Sequence, residues 1–248
     1  MKKTGGGTTM EENNKVALIA DIVASKQIKD RKTVQELLNS LLDSINIQFK
    51  ESIASNLTIT LGDEFQGIVD SVETAFLIID LVTLALELDS KKETGEAVTL
   101  RWGIGIGRLS TPIKNRKVSI GTDGPAYWYA REAIDSVHQY NDYGQLNEKL
   151  STGQPDDDFF NSVIRLQNVL RNDWTQSQKE TAYAILKSVG YDEFSNQVIK
   201  QALSDYLKQP FSEQTVSKRI ISTHIKQYTH SRGLLAQQIE EWRTKHDH

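Results

Sequence analysis

Residues 57–70, Leu-Thr-Ile-Thr-Leu-Gly-Asp-Glu-Phe-Gln-Gly-Ile-Val-Asp, hold two short β-prone runs separated only by Gly62-Asp63-Glu64. So short a separation leaves room for a hairpin, which predicts antiparallel strands at 57–61 and 65–69 around a tight turn. A further strand is predicted at 15–23, where Lys15-Val-Ala-Leu-Ile-Ala runs apolar up to Asp21, and another at 98–107, Val-Thr-Leu-Arg-Trp-Gly-Ile-Gly-Ile-Gly. Between these runs the period changes. Val34, Leu37, Leu38, Leu41, Leu42, Ile45 and Phe49 recur at helical spacing over 31–53, and Ser71 is placed to cap a mostly apolar helix reaching about residue 89. Pro125 suits the first turn of a third helix through Ala130, Ile134 and Val137. The order β-α-β-β-α-β-α specifies an α+β sandwich, with an antiparallel or mixed sheet and helices over one of its faces.

Gly153-Gln-Pro-Asp-Asp-Asp158 is the natural boundary, because every later segment reads as helix: 159–171, 175–189, 195–208, 212–227 and 231–244. Two domains are therefore expected, at 15–152 and 159–248. Residues 1–14, with Gly5-Gly-Gly and Glu11-Glu, lack an apolar period and are expected to be a disordered leader. Of the net charge of -4, residues 1–158 carry 17 basic against 24 acidic side chains and residues 159–248 carry 12 against 9. An acidic body does not steer polyanions, although it can hold a nucleotide through Mg²⁺, while the basic part can approach nucleic acid. The absence of cysteine removes disulfides and thiolate metal sites and permits a reducing, cytoplasmic setting. Phe76–Leu88 is apolar but too short for a membrane span and carries Asp80 and Glu87, so no membrane partner is expected.

Asp21 follows five apolar residues at a strand end, and Asp63 sits at the hairpin tip. On neighbouring strands the two carboxylates would converge and repel, which a hard cation such as Mg²⁺, bridging to a nucleoside triphosphate, would relieve. Gly62 allows close backbone approach there, and the turn amides from Gly121 to Gly124 are candidate phosphate ligands. Arg131 is the candidate for neutralising charge at the triphosphate, with Lys114, Arg116 and Lys117 as alternatives. The alternation Gly103, Gly105, Gly107 lies inside a strand, so it is not a dinucleotide fingerprint; it lets a backbone or a ligand come near.

In the helical part, Val198, Ala202 and Tyr206 fall at i, i+4 and i+8, a turn with Pro210 follows, and Ser212 caps a second helix with Val216 and Ile220 inward. This leaves Glu213, Gln214, Thr215, Ser217, Lys218 and Arg219 outside. Gln and Ser suit base edges or sugars, and Lys and Arg suit phosphates, so a helix-turn-helix contacting double-stranded DNA is expected through Gln214, Thr215, Ser217, Lys218 and Arg219. The bland alternative is a helical hairpin for protein contact. Leu234, Leu235, Ile239 and Trp242 offer a stripe for packing or homodimerisation.

Residues 15–150 resemble the nucleotidyl-cyclase palm of class III adenylate cyclases and GGDEF-type diguanylate cyclases. Leu61-Gly-Asp-Glu-Phe65 is similar to GGDEF with leucine for the first glycine, and Ala130-Arg131 is similar to the Ala-Arg of the class III helix. That resemblance implies metal ligation by Asp21 and Asp63 and transition-state stabilisation by Arg131, hence a cyclase or related nucleotidyl transferase. The asparagine expected four positions before the arginine is Tyr127, and no purine-selecting lysine–aspartate pair is present. Over residues 15–248 the chain also resembles the SatD family, through Ala20-Asp-Ile-Val-Ala-Ser25, Gly62-Asp-Glu-Phe-Gln-Gly67, Arg101-Trp-Gly-Ile-Gly-Ile-Gly107, Asp123-Gly-Pro-Ala126 and Ala130-Arg131. Together these imply a cytoplasmic regulator, a nucleotide- and Mg²⁺-binding palm coupled to a DNA-binding helical domain. A palm that serves only as an interaction module is the third expectation.

Overall fold

The computed structural model describes residues 14–113, 115–117, 122–140 and 144–246. Strand β1 (Lys15–Ile22) lies at the centre of a five-stranded mixed sheet ordered β2-β3-β1-β4-β5, with β2 (Ile53–Leu61), β3 (Glu64–Val69), β4 (Leu100–Gly107) and β5 (Glu148–Ser151). β1 runs antiparallel to β3, with Val16 opposite Val69 and Ala20 opposite Phe65, and antiparallel to β4, with Asp21 opposite Arg101. β5 is parallel to β4 and was not expected from its sequence, since Glu-Lys-Leu-Ser is short and lacks β-branched residues. The predicted hairpin forms, with β2 starting at Ile53 and β3 one residue earlier than expected, at Glu64. Gly62 has φ +64 in a two-residue turn joining Leu61 to its partner Glu64, and an added Cβ there would meet nothing within 4 Å. Its glycine is needed for the turn rather than for close approach.

The pleat divides β1 between two apolar clusters. Val16, Leu18, Ala20 and Ile22 join the larger core with α1 (Arg31–Gln48) and α2 (Val72–Thr94), while Ala17 and Ile19 join the smaller one with α3 (Pro125–Gln139). Helices therefore cover both faces of the sheet, a correction to the expected one-faced sandwich. The glycines of β4 explain why α3 takes the second face. Cβ atoms added at Gly103 and Gly105 would lie 2.2 Å from Ala130 O and 2.0 Å from Ala126 O, so the helix backbone rests directly on the strand. Of the two approaches those glycines permit, backbone or ligand, the backbone is what fills the space.

Several boundaries differ from the expected ones. The first helix ends at Gln48 rather than 53, and the chain turns back to begin β2 at Ile53. Ser71 caps α2 as predicted, accepting from Thr74 N at 3.1 Å, but the helix continues to a left-handed Gly95. Beyond 153–158 come α4 (Asp157–Asn172), α5 (Gln176–Val189), α6 (Asn196–Leu207), α7 (Glu213–Thr223) and α8 (Ile225–Lys245). The break between the last two falls at His224, with φ 49, earlier than the expected gap after residue 227. Trp174 Nε1 fixes the break by donating to Thr223 O at 2.9 Å, supplying a partner to a carbonyl at the helix end.

Core packing continues across 153–158. α2 is buried along most of its length because it meets the sheet, α1, α5 and α8. At its centre lies Asp80, wholly buried, whose oxygens accept from Arg171 Nη1 at 2.6 Å, Tyr228 OH at 2.7 Å, Tyr191 OH at 2.7 Å and Arg232 Nη2 at 3.2 Å. Arg232 also donates to Glu148 of β5 at 2.6 Å, and its guanidinium sits 4.1 Å from the Phe76 ring centroid. Two carboxylates and two guanidinium groups thus balance in the interior, joining the sheet edge, α2, α4 and α8. A second tie is Glu240 of α8, which accepts from Val72 N at 2.6 Å and so caps α2 from 168 positions away. Glu240→Ala is expected to cost about 1 kcal/mol, the usual loss for removing a helix cap, measurable as a lower urea midpoint.

Candidate nucleotide-binding groove

Because Ala20 stands opposite Phe65, the register carried one residue further sets Asp21 beside Glu64. The acid directly opposite Asp21 is thus Glu64, and Asp63, the acid expected to converge with Asp21, is its neighbour in the turn. Asp63, half-buried, occupies the turn, and Glu64 is the hairpin acid on the same strand pair. The turn is one residue tighter than the expected Gly62-Asp63-Glu64 loop.

Both oxygens of Asp21 are engaged. Arg101 Nε donates to Oδ1 at 2.9 Å, and His138 Nε2 lies 2.7 Å from Oδ2. Asp21 and Arg101 are only 14% and 17% exposed, whereas His138 stands at the rim. The β4 pairing makes the first contact, and the approach of α3 over the glycines brings His138 to the second. Arg131, seven residues before His138 and so on the same side of α3, forks onto Glu64 with both contacts at 2.7 Å. Hydrogen bonding to Glu64 raises the Arg131 pKa above its ordinary value despite partial burial, with Asp135 and Asp21 contributing. Neither Arg101 nor His138 was singled out from sequence. Arg101 lay in a strand among glycines, and only the register shows that it faces Asp21.

Beside this cluster a groove of about 780 Å³ runs along α3. Ile19 and Gln66 form its floor, and Tyr127, Trp128, Arg131, Glu132, Asp135 and Ser136 line its wall. Ile19 and Asp21 share a face of β1 about 7 Å apart, so the charged cluster closes one end. Tyr127 is buried and Trp128 is 56% exposed, so the aromatic pair divides between core and groove.

Of the turn expected to hold phosphates, residues 122–124 are described. Gly124 N donates to Asp123 Oδ1 at 2.8 Å, as does Trp128 Nε1, and an added Cβ on Gly124 would meet Ser110 N at 2.4 Å. The Gly124 amide is thereby taken at the start of α3, while Gly121 and Lys114 lie outside the described residues. Arg116 donates to Lys50 O and Ile53 O, at 2.9 and 2.6 Å, pinning its loop to the end of α1 and the start of β2. The donor set does not fit a resident metal ion as arranged. A cation on Asp21 would face Arg101 and His138 at hydrogen-bond distance, and one on Glu64 would face Arg131. Among the described residues no group of three or more His, Asp or Glu side chains is disposed to hold a metal.

In the helical part, α6 and α7 both pack on α5. α7 begins as predicted, with Ser212 accepting from Thr215 N at 3.2 Å, and Val216 and Ile220 are buried. On α6 Ile199 and Leu203 are buried and half-buried Tyr206 packs on Tyr183 of α5, whereas Val198 is 43% exposed. Gln214, Thr215 and Lys218 are exposed. Arg219 instead turns onto α5, donating to Ser177 O at 3.1 Å and Thr181 Oγ1 at 3.0 Å, and Ser217 accepts from Asn196 at 2.9 Å. Among the described residues no helix is long and apolar enough to cross a membrane.

The β2–β3 hairpin beside a central β1, with helices on both faces, makes an α+β fold bearing a charged cluster at one end of its first strand. The chain belongs to the SatD family, whose sequence profile matches residues 15–239. None of the curated proteins is detectably similar in sequence. Solved structures similar to it include the guanylyl cyclase domain of the RhoGC fusion protein from the aquatic fungus Blastocladiella emersonii, 18% identical over 50% of this chain and 74% of that one, with TM-score 0.36. The guanylate cyclase domain of RhGC from Catenaria anguillulae, in complex with GTP, is 17% identical over 50% and 74%, with TM-score 0.36. A bacterial light-regulated adenylyl cyclase is 14% identical over 56% and 76%, with TM-score 0.39.

Proposed function

We propose that the protein is a regulator that takes up a nucleotide in the α3 groove without turning it over, and that contacts double-stranded DNA through α7. The observation that carries the first part is the groove itself. Its volume is within the range of small-molecule sites, it exposes an indole face for a base, and it ends at the guanidinium of Arg131. Glu132 and Asp135 along its wall are acceptors for ribose hydroxyls. Cyclisation is the less favoured reading, because Asp21 is held by Arg101 and His138 and offers no free oxygen to activate a reacting group. The second part is supported by the exposure of Gln214, Thr215 and Lys218 on a helix whose other side is packed. Paired copies would present two such helices to a two-fold operator.

Titration of the full chain with ATP and GTP, with and without Mg²⁺, tests the palm. Saturable binding with no cyclic nucleotide or pyrophosphate formed is expected, and turnover with Mg²⁺ or Mn²⁺ would hand the palm to the enzyme reading. Absence of binding would leave only an interaction module. For α7, duplex binding should weaken with salt, and Lys218→Ala should reduce the salt slope by about 1. Arg219→Ala should chiefly lower stability, because its contacts are to α5. A duplex affinity indifferent to Lys218 removes DNA from the reading.

A further inference from the structure

We infer that Arg101, His138 and Arg131 form a receptor for a phosphoanhydride anion, and that Asp21 and Glu64 occupy the phosphate positions in the ligand-free protein. The inference deepens the nucleotide reading and rests on it for the choice of phosphate as the anion. Arg131 holds Glu64 by a two-pronged fork at 2.7 Å, the geometry a guanidinium uses for carboxylate and phosphate alike. Arg101 and His138 meet the two oxygens of Asp21 from different elements, β4 and α3, at 2.9 and 2.7 Å. The two carboxylates are neighbours across the β1–β3 pair, so the two clasps lie side by side at one end of the groove. The Glu64–Arg131 clasp is the more open of the two, with 25% and 45% exposure, and Arg131 lines the groove itself. An entering phosphate therefore exchanges first with Glu64 and then reaches the more buried Asp21 end.

This assignment gives the acidic residues the opposite sign from metal ligation. As metal ligands they would be required for binding; as stand-ins they compete with it. The test is calorimetric titration of inorganic pyrophosphate into the full chain in the presence of EDTA, with folding of each variant followed by circular dichroism. Wild-type protein should bind, Glu64→Gln should bind at least about tenfold tighter, and Arg101→Gln and Arg131→Gln about tenfold weaker, as expected for losing one charge-assisted hydrogen bond. Affinity unchanged in Glu64→Gln and Arg101→Gln overturns the assignment. So does pyrophosphate binding that appears only with Mg²⁺ and disappears in Asp21→Asn. Nucleotide binding without this pattern overturns the receptor and leaves the groove reading standing. The pattern with pyrophosphate but no nucleotide binding supports the receptor and overturns the groove reading.

Discussion

Asp80→Ala is expected to destabilise the protein by about 3–5 kcal/mol, the cost of leaving buried charges without their partner. For a chain of this length that corresponds to a fall in Tm of roughly 10 °C. Arg171, Arg232, Tyr191 and Tyr228 all address Asp80, so its removal leaves two buried guanidinium groups with Glu148 as their remaining acid among the described residues. The arrangement is already short of acceptors. Arg171 Nε is buried with no hydrogen-bond partner among the described residues, and Arg171 Nη2 lies 3.3 Å from Glu148 without hydrogen-bond geometry. By contrast, Glu96→Ala, which removes the exposed pair with Lys29, should change stability by no more than about 1 kcal/mol. Equal losses in the two variants would show that the buried network is not what joins α2 to α4 and α8.

The same carboxylate gives the protein an acid limit. Burial pushes the Asp80 pKa up, but the charges of Arg232 and Arg171 and the hydrogen bonds from both tyrosines outweigh it, so the group is held below its ordinary value. A carboxyl with a depressed folded pKa stabilises the native state fully above its unfolded pKa, about 3.9, and that contribution is lost as pH falls toward the folded value. Wild-type stability should therefore drop between roughly pH 4 and the acid limit, with a shallower slope in Asp80→Asn.

The second large effect is expected at Gly105. A Cβ there would lie 2.0 Å from Ala126 O and 2.3 Å from Ala130 N, both main-chain atoms of α3 that no rotamer change can move. Gly105→Ala must lift the helix, costing about 3 kcal/mol or more, and should loosen Arg131 and His138 from Glu64 and Asp21. Gly107→Ala meets its nearest atoms at 2.9–3.0 Å and should be milder. Near-ultraviolet circular dichroism, which reports the tyrosines and Trp128 of α3, together with Tm measures both effects. Gly105→Ala as stable as Gly107→Ala would refute the helix-on-glycine packing.

Local pattern made most of the elements legible. Two β-prone runs around Gly62-Asp63 can close only as a hairpin, and Ser71, Ser212 and Pro125 mark helix starts because each meets a requirement of the first turn. Failures lay where a residue's partner is distant in the chain. Asp80 looked like a mere interruption in an apolar helix, since nothing nearby in sequence announces Arg171 and Arg232. The helix break at His224 depends on Trp174, and β5 depends on pairing with β4.

The sequence by itself determined that acids stand at the end of β1 and in the hairpin, that α3 carries Arg131, and that β4 presents glycines on alternate positions. Those properties are set by residue type and by periods of two and 3.6, which the chain carries locally. Only the tertiary structure decided that Glu64 stands opposite Asp21, and that Arg101 and His138 satisfy its carboxylate. Strand register and helix approach bring those groups within 3 Å, and both are settled by packing between segments far apart in sequence.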